Sequence, residues 1–162
     1  MILFLDTEFT RTDLGLTLLS LGLVGDTGVE FYCERNDVPS ACFSSFVASK
    51  VAPHLGLFPY RIGDKRWCKT ELELFLGALG ARNEVACDRP EDVELLIDLH
   101  GSWPTNLLAP RIPIEQISNE EFFDAQSEYF SAPERPRHHA LSDARALHYA
   151  WTSIGGLTHR PS

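Results

Sequence analysis

The sequence predicts an α/β fold with a mixed β-sheet, and three observations lead to that prediction. Three apolar runs joined by short turns open the chain, which is typical of an antiparallel meander. A further short strand and several amphipathic helices follow, in the order β-β-β-α-α-β-α-α-α. The first strand is not followed by a glycine-rich phosphate loop, so the Rossmann and P-loop folds are excluded.

The predicted strands lie mainly near the start of the chain. Residues 1–10 (MILFLDTEFT) open with an apolar run that is too short for a helix and suits a buried central strand. Residues 16–24 and 29–33 form the next two strands, joined by a hairpin turn at 25–28. A fourth, short strand is expected at 84–87.

Helices are predicted where apolar residues recur at helical spacing between capping residues. Thr70 and Asn119 are expected N-caps, and Gly101 is expected just past the end of a helix. The predicted helices cover residues 39–55, 70–79, 91–100, 119–130 and 140–154. Loops or edge segments are expected at 102–113 and 131–137, and a frayed tail at 155–162.

Composition is that of an ordinary folded domain. The 162 residues are expected to form one domain, residues 1–162, because a 44% apolar fraction suffices for a substantial core. Apolar runs are too short to cross a bilayer, so no membrane association is expected. Asp6 and Glu8 interrupt the apolar N-terminal segment, which argues against a signal peptide.

Cysteine usage and net charge narrow the class of protein further. The four cysteines form no Cys-x-x-Cys pair, which argues against a zinc site and fits reduced thiols in the cytoplasm; they are Cys33, Cys42, Cys68 and Cys87. The net charge of −9 disfavours a protein that coats nucleic acid, which needs a basic surface. It is compatible with an enzyme that meets a few phosphates through bound metal ions, because catalysis depends on local charge.

Asp6 and Glu8, directly after the first apolar run, are the first candidate functional residues. In an extended chain both side chains leave the same face, where two carboxylates repel each other. A fold that holds them on a central strand usually supplies a cation between them. The alternative is a strand end that turns into solvent, where acidic residues are common.

Asp143, near the start of the last predicted helix, is the second candidate. It shares a helix face with small and apolar residues such as Ala146 and Leu147, so its carboxylate is expected to point inward. A buried carboxylate is costly unless it is paired or binds a metal. His138 precedes this helix and can reach the rim of the same cleft. The alternative is a surface histidine pair with an aspartate that the helix dipole favours.

The FLDTEFT strand and the HHALSDA helix start resemble the first and last motifs of the DEDDh 3′–5′ exonucleases. The last motif of this superfamily is a histidine, four residues and an aspartate, which here are His138 and Asp143. The resemblance extends from residue 1 to about residue 150, and it is strongest to the small stand-alone bacterial 3′–5′ exoribonuclease family. It implies a ribonuclease H-like fold, with a mixed central β-sheet flanked by helices.

The second motif of that superfamily is an aspartate that opens a helix after the fourth strand. Asp92 fits best, because it starts the predicted helix that follows the strand at 84–87. Asp88 is the second choice, and Asp98, late in the helix, is the third. The usual Asn-x-x-Phe-Asp context is replaced by Asp-Arg-Pro-Glu-Asp, so the choice between Asp92 and Asp88 stays open.

The resemblance implies two-metal-ion hydrolysis of RNA from a free 3′ end, single-stranded or in a 3′ overhang, releasing nucleoside 5′-monophosphates. The ions would be Mg²⁺ or Mn²⁺, because carboxylate oxygens suit these metals better than zinc. Asp6 would bridge two ions, with Glu8 and Asp143 completing one site. Asp92 would hold the second ion, and His138 would be the general base that takes a proton from water.

Other residues are candidates for substrate contacts. Phe9 is expected either to stack on the terminal base or to pack in the core, and the Thr7 backbone to contact the 3′ sugar. Arg135 and Arg137, beside His138, are candidate phosphate contacts. A basic group around Trp67 suits a single strand or a solvated face; it comprises Arg61, Lys65, Arg66 and Lys69. Trp103 and Trp151 are expected to be packing residues.

Three other functions remain open on the sequence alone. The same chemistry on single-stranded DNA is a close variant, because no residue identifiably recognises a ribose 2′-hydroxyl. A ribonuclease H-like binding module without catalysis is a second, although the motif residues Asp6, Glu8, His138 and Asp143 are all present. A metal-dependent phosphohydrolase of small nucleotides is a third. The resemblance is also compatible with a homodimer.

Overall fold

A six-stranded mixed sheet forms the centre of the computed structural model, which describes residues 1–80, 82–109 and 111–156. Its strands are β1 (Ile2–Thr12), β2 (Gly15–Gly25), β3 (Glu30–Arg35), β4 (Ile62–Gly63), β5 (Glu84–Cys87) and β6 (Ile112–Pro113). They lie in the order β4-β3-β2-β1-β5-β6. The first three strands are antiparallel, and each later strand runs parallel to its inner neighbour in this order, so the predicted meander and mixed sheet are confirmed.

Helices cover both faces of this sheet. They are α1 (Lys65–Ala78), α2 (Pro90–His100), α3 (Ile114–Ile117), α4 (Glu120–Tyr129) and α5 (Ala140–Ser153). Leucines of α1 and α2 pack with Leu3 and Leu5 of β1 on one face. Phe4, whose side chain points the opposite way as strand geometry requires, packs against α4 and α5. The apolar run of β1 is therefore buried on both faces, as expected for a central strand.

Capping residues explain where the helices begin and end. Asn119 accepts a hydrogen bond from the Phe122 backbone N–H at 3.0 Å, and Gly101 ends α2 with φ +98°, so both predicted caps are confirmed. The predicted start of α1 at Thr70 is wrong. Asp64 caps this helix by accepting from the Trp67 N–H at 2.7 Å, which places Thr70 inside it.

The prediction of a helix at 39–55 is also wrong. Segment 36–61, between β3 and β4, consists of short turns of 3₁₀ and π type at Ser40–Cys42, Val47–Val51, Ala52–His54 and Pro59–Arg61. Serine side chains compete for its backbone groups: Ser44 Oγ accepts the Val47 N–H at 3.2 Å. Pro53, which lacks an N–H, lies in the first turn of a separate 3₁₀ helix, Ala52–His54. Val47 and Val51 nevertheless pack on Leu19, so the apolar spacing reports burial without an α-helix.

The prediction of a loop or edge segment at 102–113 is confirmed, because its two-residue strand β6 lies at the edge of the sheet. The sequence pattern does not predict the short helix α3 that follows it. Most of the predicted tail, residues 157–162, lies outside the described residues. Within the described ranges, every helix is too short or too polar to cross a membrane.

Candidate active site

Five acidic side chains from four parts of the chain converge at one end of the sheet. Asp6 and Glu8 lie on β1, on the face that α5 covers, and Asp88 follows the end of β5. Asp92 lies in the first turn of α2, and Asp143 in the first turn of α5. All five line one cleft of about 480 Å³, together with His138.

The cleft contains two groups of potential metal ligands. In the first, ligand atoms of Glu8, His138 and Asp143 all lie within 4.8 Å of one another. In the second, oxygens of Asp6, Asp88 and Asp92 lie within the same distance. Asp92 and Asp88, the two candidates for the fourth ligand, are thus both beside Asp6.

Asp92 is held in place by the strand that carries the first motif. Its Oδ1 accepts a hydrogen bond from the Thr7 backbone N–H at 3.1 Å and from the Thr7 hydroxyl at 2.7 Å. Its other oxygen, Oδ2, is buried and has no hydrogen-bond partner among the described residues, and the same holds for Asp6 Oδ2. Buried carboxylate oxygens without partners are costly, which is the expected signature of oxygens that bind a cation.

Burial and mutual repulsion favour the protonated forms of these carboxyl groups. Burial, reinforced by the Asp143 charge, raises the pKa of Glu8 to about 8. Burial likewise raises the pKa values of Asp92 and Asp143 to about 7, and that of Asp6 well above its usual range. Divalent cations would reverse this effect, because they favour the ionised form. Oxygen donors of this kind suit Mg²⁺ or Mn²⁺, so the residues present fit the implied metals.

His138, the first residue of the last motif, is hydrogen-bonded through its backbone to Asp143, the carboxylate of the same motif. Its backbone has φ +62°, a left-handed conformation that is uncommon for residues with a side chain. In that conformation its N–H donates to Asp143 Oδ2 at 2.9 Å. Burial lowers the pKa of its imidazole, and the positive charge of Arg137 adds to this effect, so the ring is mainly neutral at neutral pH.

A glycine of β2 lets α5 approach the sheet closely. A Cβ atom on Gly22 would lie 2.5 Å from the Ala140 carbonyl oxygen, a distance that real Cβ atoms essentially never show. Gly22 pairs directly with Asp6 in the sheet. This contact therefore places the first turn of α5, with Asp143, over the strand that carries Asp6 and Glu8.

Aromatic and basic side chains surround the carboxylates. Phe9 and Phe46 both line the cleft; Phe9 also packs partly against the core, and Phe46 is half-exposed and touches the edge of the His138 ring. The arginines that line the cleft are Arg11, Arg89 and Arg137. Arg137 stacks on Phe130, with its guanidinium carbon 4.4 Å from the ring centre. The cleft thus combines an acidic centre with a basic and aromatic rim.

Most predicted site residues therefore lie in one place. The cleft brings together Asp6, Thr7, Glu8, Phe9, Asp92, His138 and Asp143. The Thr7 backbone is a predicted sugar contact, and its N–H already donates a hydrogen bond to Asp92.

Arg135 and the basic group around Trp67, all predicted substrate contacts, do not line the cleft. Arg135 stacks on Tyr129, whereas only Arg137 of this pair lines the cleft. The basic group around Trp67 does not line it: Trp67 packs against the α1 side of the core, and Lys65 pairs with Asp98 at 2.7 Å. Trp151 is buried and Trp103 packs against the core, as expected.

Sequence reasoning missed Phe46 and Arg89. The apolar spacing places Phe46 on the inner face of a helix that does not form, so its exposure could not be anticipated. Arg89 lies between Asp88 and Asp92, and its position inside the acidic Asp-Arg-Pro-Glu-Asp stretch is a signal that could have identified it.

The sheet order and the helices on both faces define a ribonuclease H-like α/β fold. Among solved structures, the chain is similar to the catalytic unit of Pan2 from Neurospora crassa, described as its protease and nuclease domain. The TM-score is 0.57 at 12% sequence identity, and the match covers 97% of this chain and 27% of that one. At this identity the similarity establishes the fold. The sequence matches no family model and no curated protein.

Proposed function

We propose that this protein is a metal-dependent nuclease, and specifically a 3′–5′ exoribonuclease that releases nucleoside 5′-monophosphates. The observation that carries the proposal is the convergence of Asp6, Glu8, Asp92 and Asp143 beside His138 in one cleft. The ribonuclease H-like fold supports it, and the 3′–5′ direction rests on the resemblance of the first and last motifs to the DEDDh exonucleases.

Two divalent ions are part of the proposal, with Mg²⁺ as the expected metal and Mn²⁺ as a substitute. Glu8 and Asp143 would hold one ion and Asp92 the other, with Asp88 as the competing ligand of the second ion. Asp6, which lies beside Asp88 and Asp92, would contribute to both sites. Bound there, the ions would neutralise the charge that develops on the scissile phosphate. The two unpartnered oxygens, Asp6 Oδ2 and Asp92 Oδ2, support this assignment.

His138 is the proposed general base. A neutral imidazole accepts a proton from the attacking water, and burial keeps the ring in that state by lowering its pKa. The water oxygen bonds to phosphorus, the bond from phosphorus to the 3′-oxygen breaks, and that oxygen takes a proton from solvent. Asp143, which accepts the His138 backbone N–H, fixes the turn that carries the base.

The rim of the cleft is proposed to bind a single strand near its free 3′ end. Phe9 and Phe46 offer ring faces or edges for unpaired bases, which stack without regard to sequence. Arg89 and Arg137 are proposed to contact phosphates. Arg11, which pairs with Glu91 at 3.4 Å, is proposed to exchange that partner for a phosphate. The same proposal includes RNA as the partner and assembly as a homodimer. It also includes a cytoplasmic location, which the four free thiols favour.

The proposal is tested with a 5′-labelled single-stranded RNA and a DNA of the same sequence. We expect a ladder that shortens from the 3′ end in Mg²⁺ or Mn²⁺, no cleavage in EDTA, and faster cleavage of RNA. Asp6→Asn should abolish cleavage, whereas His138→Ala should lower the rate by roughly 10²–10⁴-fold with metal binding retained.

Each alternative function gives a different result in the same assay. Faster cleavage of DNA would make the protein a deoxyribonuclease. No cleavage with metal bound would contradict the proposal and favour a binding module. Hydrolysis of dinucleotides in a parallel reaction, with no cleavage of the longer RNA, would indicate a phosphohydrolase of small nucleotides.

A further inference from the structure

His139, the neighbour of the proposed base, is buried although the proposed chemistry does not use it. Its side chain is 3% exposed, and its ring lies parallel to that of Tyr32, with centroids 4.8 Å apart and planes 17° apart. Phe58, from segment 36–61, packs against both rings. His139 also caps α5, because its Nδ1 accepts a hydrogen bond from the Ser142 N–H at 3.4 Å.

The capping role alone does not explain a histidine at this position. With Nδ1 accepting, a neutral ring carries its proton on Nε2, and that atom is buried without a partner among the described residues. An unpartnered buried donor costs about 1–3 kcal/mol. Asparagine or serine would cap the helix without that cost. What the imidazole adds is the stacking contact with the Tyr32 ring.

Tyr32 is itself fixed by a buried carboxylate. Its hydroxyl donates to Glu34 Oε2 at 3.0 Å, and the same carboxylate accepts the Gly56 backbone N–H at 2.9 Å. Glu34 is 5% exposed and lies two residues along β3 from Tyr32, so both side chains point to the α5 face. The Tyr32 ring is therefore held against both the sheet and segment 36–61.

These contacts reach His138 from two directions. The His139 ring fixes the residue that directly follows His138, where the backbone leaves the left-handed conformation. Segment 36–61, tied to Glu34 at Gly56, also carries Phe46, whose ring meets the His138 ring edge-on at 5.1 Å. The position of the His138 backbone thus depends on the stacked rings of His139 and Tyr32. The position of its ring depends on segment 36–61, which Glu34 ties to Tyr32.

We propose that His139 and Tyr32 are positioning residues, whose stacked rings set the position of His138 relative to Glu8 and Asp143. The proposal rests on the proposed function, because it assigns His138 the role of base. A displacement of about 1 Å in a reacting group can lower a rate a hundredfold. The stacked contact is therefore expected to act on kcat and not on metal binding.

The test separates the ring from the cap. His139→Asn keeps an acceptor for the Ser142 N–H and removes the stacked ring. Tyr32→Leu removes the other ring, and Tyr32→Phe restores a ring without the hydroxyl. Tyr60→Leu is the matched control, because Tyr60 belongs to segment 36–61 but is 91% exposed.

Two readouts are combined: kcat and KM on a short single-stranded RNA, and the imidazole NMR signals of His138 in metal-free protein, assigned by their loss in His138→Ala. We expect His139→Asn and Tyr32→Leu to lower kcat by about tenfold to a hundredfold, with KM changed less than about threefold. Both should shift the His138 signals. Tyr32→Phe should recover most of the rate, and Tyr60→Leu should match the wild type.

Unchanged kcat and unchanged His138 signals in His139→Asn would overturn the positioning role. A wild-type protein without nuclease activity would instead overturn the proposed function, and the NMR signals would still decide the positioning role. Thermal unfolding of each variant shows that it is folded; if Tyr32→Leu is unfolded, the comparison of His139→Asn with wild type is sufficient.

Discussion

Asp92, like Asp143, already has one carboxylate oxygen engaged in hydrogen bonding. Thr7 donates two hydrogen bonds to Asp92 Oδ1, and the buried Oδ2, without a partner among the described residues, is the oxygen proposed to bind metal. Asp88 is half-buried in the loop after β5, and burial raises its pKa too. Because both residues lie beside Asp6, substituting each of them separately tests which one is the fourth metal ligand.

We expect Asp92→Asn to fold and to lose activity. The amide oxygen can still accept the Thr7 hydrogen bonds, but the side chain no longer carries a charge for the metal. The loss should exceed the roughly 10–100-fold that follows removal of a group outside the metal's ligand set. Cleavage rates as a function of Mn²⁺ concentration measure the effect.

Asp88→Asn is the matched variant, and we expect it to retain more activity than Asp92→Asn. If Asp88→Asn is instead the inactive protein and Asp92→Asn is active, Asp88 is the fourth ligand.

At the scale of the element, the contact between β2 and α5 decides the geometry of the site. Gly22 leaves room for the backbone of α5. On the neighbouring strand β3, the ring of Tyr32 stacks on His139, the N-cap residue of α5. A bulge in the β1–β2 pairing lies beside Glu8: Glu8 pairs with Ser20 and Phe9 with Leu18. Leu19, which has no partner on β1 in the described part of the chain, packs against Val47 and so supports segment 36–61 beside the cleft.

We expect Gly22→Ala to destabilise the protein by about 1–3 kcal/mol, the usual cost of overpacking, and to reduce activity by displacing Asp143. Denaturant unfolding measures the stability, and the cleavage assay measures the activity.

Gly77→Ala is the control. Gly77 lies in α1, and among the described residues no atom beyond its chain neighbours and the nearby backbone of its own helix comes within 4 Å of the position that a Cβ would take there. Alanine should therefore stabilise the helix by roughly 0.5–1 kcal/mol. Equal stability of Gly22→Ala and wild type would contradict the close approach of α5 to β2.

At the scale of the whole molecule, the distribution of charge over the surface matters more for binding a phosphate chain than the net charge does. The chain carries a net charge of −9, yet three arginines line the acidic cleft. Other basic side chains pair with acidic ones away from it, such as Arg145 with Glu30. A negative protein can therefore present a local basic rim to a phosphate chain.

The buried carboxyl groups make stability depend on pH and on metal. Because burial raises the pKa of Glu8 to about 8 and those of Asp92 and Asp143 to about 7, the folded state retains protons that the unfolded chain has lost. Unfolding therefore releases protons between roughly pH 4 and pH 8, and the free energy of unfolding falls as pH rises through that range.

In EDTA we expect a higher Tm near about pH 5.5 than near about pH 8, with each kcal/mol worth about 2–4 °C. Mn²⁺ binds the ionised carboxylates, so it should raise Tm more at the higher pH. Glu8→Gln should weaken both effects. A Tm that is the same at both pH values, or that does not respond to Mn²⁺, would contradict a buried carboxylate site for metal.

The sequence by itself determined the strands of the meander, the caps at Asn119 and Gly101, and the candidate residues at both ends of the chain. These features depend on local patterns: the alternation of a strand, a capping side chain, or a motif within a few residues. Asp6, Glu8, His138 and Asp143 could be chosen in this way because their motifs are short and continuous.

Tertiary structure alone decided which distant residues meet. The position of Asp88 beside Asp6, the exposure of Phe46 at the cleft and the stacking of His139 on Tyr32 all join residues far apart in the chain. Segment 36–61 shows the same limit, because its apolar spacing predicts a helix while packing on Leu19 and serine hydrogen bonds fix another conformation. Such contacts depend on how the sheet and helices pack, which no local pattern encodes.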